Sequence, residues 1–398
     1  MFGKPKIDTD PVKIDHLLTR GVADVIDREH LRAALLSGKQ LRVKLGFDPT
    51  GSKIHIGRAI ILRKLREFQY LGHQVIFIVG DYTACIGDPS DKLDKRPRLT
   101  TEKIAEHIKN YKTQVGKIID LKKAELVFNS TWLKKLDFLE LIDLARSFTI
   151  NQMIARRNFK ERLEKGGDVG LEEAMYPLMQ GYDSVSVKSD VEIGGFDQLF
   201  NLKAGRAIQE HFGMPAQDIL MGEMLEGTDG RKMSTSWGNV INITDEPNDM
   251  FGKVMSIADG LVQKHFLLCT DLGWEEIRKV EEQNPKAQKI RLAEEIVKLY
   301  HGEKAAISAK EEFERVFSKG GAPTDILEVV IDAHAMGLAE LVVTVQMAES
   351  KTAARRLIEQ GGVRINDMKK TDPAETIAID SGMVVQVGPR RFVKIRRK

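Results

Sequence analysis

Leu41-Arg42-Val43-Lys44-Leu45-Gly46-Phe47-Asp48-Pro49-Thr50-Gly51 reads as a strand running into a turn. Leu41, Val43, Leu45 and Phe47 alternate with polar residues, the period of a half-buried strand, and Pro49 and Gly51 mark the turn. From about 56 to 70, Ile60, Ile61, Leu65 and Phe68 recur at helical spacing, with Gly72 as a C-terminal stop. Val75-Ile76-Phe77-Ile78-Val79 is almost wholly apolar, as expected of a strand covered on both faces. Strand, helix, strand in this space is a βαβ unit. The N-terminal half is therefore predicted to be an α/β, Rossmann-like, doubly wound parallel sheet.

Outward from that unit, helix signals dominate from 101 to about 164. Asp190-Val191-Glu192-Ile193-Gly194-Gly195 reads as a short strand ending in a glycine turn. Helices return over 245–317, including a run at 290–300 with Ile290, Leu292, Ile296, Val297 and Tyr300 on one face. Ser318-Lys319-Gly320-Gly321-Ala322-Pro323-Thr324 is a linker by composition, and a small basic module begins at about 336. The expected organisation is a catalytic domain at 1–240 with a helical insertion at about 115–165, an all-α domain at 241–325, and a small α+β domain at 326–398.

Composition narrows the class. A chain of 398 residues holds two or three domains with real cores, and 42% hydrophobic with 30% charged residues is ordinary for a globular enzyme. The formal charge of +3 does not demand a nucleic-acid partner, so any such partner must be argued from local patches. Two distant cysteines, Cys85 and Cys269, point to buried free thiols in a reducing compartment. No cationic start leads into an apolar signal core, and no apolar run approaches a membrane span. Cytoplasm, no membrane and no structural metal are the expectations.

Two segments carry candidate chemistry. The turn before the first helix lies where open α/β sheets bind ligands, and a helix N-terminus offers phosphate free N–H groups and a positive dipole end. Gly46, Gly51 and Gly57 admit a close ligand there, with His55 and Arg58 on the first helical turn. Alone, this is equally a structural turn with two surface cations. The second segment is Asp229-Gly230-Arg231-Lys232-Met233-Ser234-Thr235-Ser236, a polar loop able to close over a triphosphate and stabilise charge on leaving pyrophosphate. Alone, such a loop is ordinarily just solvated.

Together, His55-Ile56-Gly57-Arg58 near the start of a βαβ fold and Lys232-Met233-Ser234-Thr235-Ser236 at the domain's end resemble the paired signatures of class I aminoacyl-tRNA synthetases. Tyr176-Pro177-Leu178-Met179-Gln180-Gly181-Tyr182-Asp183 resembles the recognition helix of the bacterial-type tyrosyl enzymes. Gly194-Gly195-Phe196-Asp197-Gln198 resembles their glycine-aspartate-glutamine loop, and Ile86-Gly87-Asp88-Pro89-Ser90 their segment near the substrate amino group. The resemblance runs from about residue 10 to the end.

The resemblance implies ATP-dependent activation of tyrosine and its transfer to tRNA(Tyr), with Mg2+ borne by ATP. It implies Tyr176 and Gln180 at the α-amino group with Asp88 nearby, Asp183 accepting from the phenol, Gln198 at the carboxylate, and Asp197 at the ATP ribose. Asp48, Gly57 and Met233 would complete the ATP site, and His55, Arg58, Lys232, Ser234 and Thr235 the catalytic set. Spacing independently puts 176, 180 and 183 on one helix face; the acceptor role that the resemblance implies for Asp183 would reject phenylalanine.

Four positions depart from the family pattern. Arg58 stands for a histidine and Thr235 for a lysine, which suggests that the cation gained at the helix start offsets the one lost from the loop. Lys44 stands where many members carry a tyrosine that touches the substrate hydroxyl, and Phe196 replaces a small hydroxyl residue. These departures keep two alternatives open: a catalytically weakened RNA-binding paralogue, and an enzyme that adenylates a tyrosine analogue.

The last segment resembles an S4-type RNA-binding domain. Ser350-Lys351-Thr352-Ala353-Ala354-Arg355-Arg356-Leu357-Ile358 reads as a helix with Lys351 and Arg355 on one side and Arg356 beside them, and Gly361-Gly362-Val363-Arg364-Ile365-Asn366 opens a short β-meander. The tail, Arg390-Arg391-Phe392-Val393-Lys394-Ile395-Arg396-Arg397-Lys398, alternates cations with apolar residues. RNA contacts are expected from Lys351, Arg355, Arg356, Arg364, Arg391 and Lys394. Asn284 to Lys289 would meet tRNA from the middle helices. The resemblance also implies a homodimer through the insertion, with Phe148, Ile150 and Met153 as interface or core residues.

Overall fold

The computed structural model describes residues 6–90, 99–317, 327–388 and 391–398. The linker expected at 318–324 and the tail residue Arg390 lie outside them. The chain divides into two compact units, Met1–Glu303 and Lys304–Lys398.

The first unit is built on six strands: β1 (Val22–Ile26), β2 (Arg42–Phe47), β3 (Gln74–Val79), β4 (Ala124–Phe128), β5 (Val191–Gly195) and β6 (Asp218–Gly222). Their order is β1-β6-β5-β2-β3-β4. All pairs are parallel except β1 on β6. β2, β3 and the helix Ile56–Tyr70 match the reading of 41–79. Strands β3, β5 and β6 are covered on both faces, and Ile76, Phe77, Ile193 and Leu220 are all buried, as is the one acid within β5, Glu192. The chain winds outward from β2 through β3 to β4, then restarts at β5 on the other side. β2 and β5 thus flank the point where strand order reverses, the place open α/β sheets reserve for ligands.

The structure corrects several expectations. The stretch 101–164 is not all helix: β4 closes one edge of the sheet within it. The helical part of the insertion starts at the helix Ser130–Leu133. β4 is partly buried throughout and carries Glu125, which takes both terminal nitrogens of Arg42 at 3.0 and 2.9 Å. A half-exposed edge strand that carries a charge has no clean apolar signal. β1 is another edge strand interrupted by an acid, Asp24, at a register shift. Cys269 is buried, but Cys85 is only half-buried; both are free. Among the described residues no helix is long and apolar enough to cross a membrane.

The helices from Pro247–Met255 to Pro285–His301 belong to the first unit, and Asn284 caps the last of them by accepting from Ala287 N at 3.0 Å. The second unit holds β7 (Leu327–Ile331), β8 (Ala335–Gly337), β9 (Val363–Ile365), β10 (Met368–Lys370), β11 (Thr376–Ala378), β12 (Val384–Val387) and β13 (Arg391–Arg397). Five of these form a sheet in the order β10-β9-β12-β13-β7, and β11 pairs with β8. The module starts before 336, because β7 lies parallel against β13. Its core gathers Leu338, Leu341, Ala354, Ile358, Val385, Val393 and Ile395.

Candidate active site

A cavity of about 450 Å³ opens at the carboxyl ends of β2 and β5. It is lined by Asp48, His55, Gly57, Arg58, Asp88, Tyr176, Gln180, Asp197, Gln198, Lys232, Met233, Ser234 and Thr235. The topology collects these from five separate stretches of chain. Lys44 and Asp183, the other two residues read as amino-acid contacts, do not line it.

Phosphate-side geometry comes from the start of the helix Ile56–Tyr70. His55 is its N-cap, Nδ1 accepting from Arg58 N at 3.3 Å. Burial, then Arg58 and Lys232, push the imidazole pKa down to about 3. The ring is therefore neutral, and with Nδ1 accepting, its proton sits on Nε2 as a donor. The flanking backbone is sewn to the chain beyond the loop: Ile56 N donates to Ile241 O at 2.8 Å and Ile243 N to Ile54 O at 2.9 Å. A Cβ on Gly57 would stand 3.1 Å from His55 Nδ1 and 3.4 Å from Met233 Sδ. The bare glycine lets the buried Met233 seat the loop on the helix start. Arg58 reaches back over the turn, donating to Tyr111 Oη at 3.2 Å and Thr50 Oγ1 at 3.1 Å, its guanidinium 5.6 Å from the Phe47 ring centre.

The loop is a small hairpin. Met233 N donates to Leu225 O at 2.9 Å, and Asn239 holds it from beneath, accepting from Ser234 N at 2.9 Å and donating to Asp229 Oδ1 at 2.7 Å. Lys232 Nζ lies 2.8 Å from Asp197 Oδ2, so the loop's cation reaches the carboxylate at the cavity's far side. Thr235 is exposed, on a 3-10 turn from Thr235 to Trp237.

The opposite wall is a continuous hydrogen-bond network. Asp88 accepts from Ser90 N at 2.9 Å, Ser90 Oγ at 2.7 Å, Asn201 Nδ2 at 3.3 Å and Gln198 Nε2 at 2.5 Å. Tyr176 Oη donates to Asp48 Oδ2 at 3.0 Å, and burial first, then Asp48, holds that phenol protonated. Asp48 Oδ1 takes Thr83 Oγ1 at 2.7 Å, and any side chain on Gly80 would collide with this carboxylate. Asp48, read as an ATP contact, is thus tied to the recognition helix as well.

Lys44 does not reach toward a substrate hydroxyl. It is 1% exposed, 3.1 Å from Glu192 Oε1, and donates to Gln180 O at 3.0 Å. The register places Lys44 beside Glu192 on adjacent parallel strands, which makes the pair. Glu192 in turn accepts from Gln180 Nε2 at 3.0 Å, so Lys44 braces a cavity residue rather than being one. Asp183 is buried one turn beyond Gln180, its carboxylate taking Trp132 Nε1 at 2.7 Å and Asn129 Nδ2 at 3.4 Å. Burial pushes its pKa up to about 7, against the opposing pull of Lys44, Trp132 and Asn129. Asn201, Glu192, Asn129, Trp132 and Tyr111 carried no local signal in the sequence; each acts through a partner brought from elsewhere by the fold.

In the second unit, the helix Lys351–Glu359 exposes Lys351, Arg355 and Arg356, and Arg364 is exposed on β9. Four expected RNA contacts have partners within the unit: Lys351 lies 3.4 Å from Glu340 Oε1 and Arg364 donates to Asp367 O at 3.4 Å, both at the surface. Arg391 donates to Met347 O at 2.9 Å, and Lys394 lies 3.0 Å from Glu328 because β13 and β7 place them in register.

Residues 36–318 match the family model described as tRNA synthetases class I (W and Y), and residues 318–395 the one described as tyrosine--tRNA ligase SYY-like C-terminal domain. The chain is 43% identical over 391 residues to the tyrosine--tRNA ligase of Desulfotalea psychrophila, covering 95% of this chain and 96% of that one. It is 44% identical over 386 residues to that of Thermotoga maritima, with the same coverages of 95% and 96%. Among solved structures, a C-terminally truncated Aspergillus nidulans mitochondrial tyrosyl-tRNA synthetase superposes with a TM-score of 0.63 at 24% identity over 77% of this chain and 94% of that one. The tyrosyl-tRNA synthetase of Archaeoglobus fulgidus complexed with L-tyrosine gives 0.61 at 22% over 76% and 100%. A paired-signature cavity at the switch point and full-length similarity to these ligases lead to one assignment: the chain belongs to the class I tRNA synthetases of the tryptophan and tyrosine kind, in the tyrosine–tRNA ligase family.

Proposed function

We infer that the chain is a tyrosine–tRNA ligase, joining tyrosine to ATP as tyrosyl-adenylate and passing it to tRNA(Tyr). The observation that carries this is a cavity in which a wall of amine- and carboxylate-binding groups (Asp88, Tyr176, Gln180, Gln198) faces a set of phosphate-binding donors (His55, Arg58, Lys232). The tyrosine carboxylate attacks the α-phosphate; the bond to pyrophosphate breaks, and the terminal adenosine of tRNA later takes the aminoacyl group. No covalent enzyme intermediate is needed, so the residues position the reactants and stabilise charge.

In this reading Asp88, Tyr176 and Gln180 receive the ammonium and Gln198 the carboxylate. Asp183, one turn further along the same helix, takes the phenol O–H. Asp197 holds the ribose once Lys232 moves onto the phosphates, with Ser234 and Thr235 beside it. The Nε2–H of His55 and the guanidinium of Arg58 serve the phosphate side with the backbone at Gly57. Magnesium travels on ATP, held by phosphates and water. The exposed apolar side chains Phe138, Leu139 and Ile150 support a homodimer through the insertion; Met153 is buried, and Phe148 packs against that same core. The 241–325 segment and the 326–398 module serve as tRNA surfaces, through Arg355 and Arg356 above all. Two free cysteines accord with work in the cytoplasm.

The test is amino-acid-dependent ATP–pyrophosphate exchange with tyrosine beside phenylalanine, tryptophan and DOPA. Exchange with tyrosine alone is expected. A preference for DOPA would move the reading to a tyrosine analogue. No exchange from folded protein that still binds tRNA would replace it with the RNA-binding paralogue that the exposed Thr235 favours.

A further inference from the structure

Arg156 has no part in the mechanism above, yet it grips the segment that carries Asp88. It is 6% exposed and lies between two aromatic rings, its guanidinium carbon 4.8 Å from the centre of Phe159 and 4.9 Å from that of Phe200. One terminal nitrogen donates to Ser90 Oγ at 3.0 Å and to Asn201 Oδ1 at 3.3 Å. Two residues on, Asn158 Nδ2 donates to Pro89 O at 2.5 Å. Burying a guanidinium is costly unless its donors are met; here one terminal nitrogen is met by the residues that surround Asp88, while the other is buried with no hydrogen-bond partner among the described residues, leaving the two aromatic rings to cover it.

The chemistry of the donors sets a direction. Arginine only donates, so the Asn201 atom facing it must be the amide oxygen. That turns Asn201 Nδ2 toward Asp88 Oδ1 at 3.3 Å, Ser90 Oγ at 3.1 Å and Gln198 Oε1 at 3.0 Å. Gln198 Oε1 therefore accepts, and its Nε2 donates to Asp88 Oδ2 at 2.5 Å. Arg156 and the acceptor-only carboxylate of Asp88 thus hold the Asn201 amide from its two ends, and without the donor at 156 only Asp88 is left to fix Asn201 and, through it, Gln198.

We propose that Arg156 is a positioning residue for the amino-acid half of the cavity: together with Asp88 it fixes the amide of Asn201, and through it the placement of Gln198, so that Gln198 offers its remaining N–H to the substrate carboxylate. The role rests on the amino-acid-activating reading above. It also ties the inserted helices to the pocket, since Arg156 stands between the helices Ile150–Ile154 and Arg157–Glu164.

The test is pyrophosphate exchange by the full chain with tyrosine and ATP varied separately, and thermal unfolding measured beside it. Arg156→Met is expected to raise KM for tyrosine about tenfold, the loss of one charge-assisted hydrogen bond, with KM for ATP unchanged within about twofold. Arg156→Lys, which restores a buried donor, recovers part of the loss. Asn201→Asp still accepts from Arg156 but cannot donate to Asp88 or Gln198, and raises tyrosine KM in the same way; it carries the test should Arg156→Met fail to fold. A wild-type tyrosine KM in folded Arg156→Met, or equal rises in both KM values, overturns the role. Absence of tyrosine-dependent exchange in the unaltered enzyme sinks the functional reading itself, and this role with it.

Discussion

The two sides of the cavity are built differently. On the amino-acid side, Asp88 accepts four hydrogen bonds, and Tyr176, Asp48, Gln180 and Glu192 are engaged by partners that the fold supplies. On the nucleotide side, Lys232 pairs with Asp197 at side-chain exposures of 32% and 23%, and Thr235 faces solvent. The first side is preorganised. The second is held by a part-exposed ion pair, which the proposed reading has ATP draw apart as Lys232 moves onto the phosphates. A closed network constrains every member, whereas groups facing solvent can exchange one cation for another. The departures Arg58 and Thr235 both fall on the open side, and Lys44, the apparent departure on the closed side, is half of a buried ion pair with Glu192.

The contrast can be broken most directly at Lys232. Lys232→Ala should lower kcat for tyrosine activation by about 10²–10³-fold, the loss of one preorganised donor to developing charge, with tyrosine KM little changed. A rise in tyrosine KM of similar size would show that the two sides are one network.

Arg58→His is expected to slow adenylate formation by about tenfold to a hundredfold, and Arg58→His with Thr235→Lys to be much milder, since charge removed at the helix start returns on the loop. Unchanged adenylate formation in the single variant ends the compensation idea.

Asp183 sharpens the closed side. Its pKa stands at about 7, so the ionised acceptor is present above about 7 and is lost as pH falls. Tyrosine KM should rise as pH drops from 8 to 6, by about tenfold at most, and Asp183→Asn should abolish that slope. For stability the sign is opposite: a carboxyl whose pKa is raised by folding destabilises the native state as pH climbs from the usual 3.8 toward about 7.

The smallest effect belongs to His55. Its folded pKa of about 3 lies below the ordinary 6.5, so its contribution to stability is complete above 6.5 and is lost as pH falls toward 3. His55→Asn keeps a capping side chain without the titration. Its melting temperature should fall less on acidification from pH 7 to 4 than that of the unaltered chain, and an identical fall would remove His55 from the acid transition.

What could be read from sequence was what short-range physics determines. Alternation and helical period over 41–79 are local properties, so β2, β3 and the helix between them were legible, as were the glycine-bearing turn and the loop at 232–236. Edge strands β1 and β4 were not, because a half-exposed strand carrying Asp24 or Glu125 lacks the apolar signature of a central one. Tertiary structure alone decided partnership. Lys44 looked like a substrate contact until register set it beside Glu192, and Arg391 and Lys394 looked free until the second unit's own groups took them. Arg156 meets Ser90 and Asn201 across 66 and 45 residues. No local pattern encodes such a meeting, because hydrogen-bond direction is settled only when the donors and acceptors have been buried together.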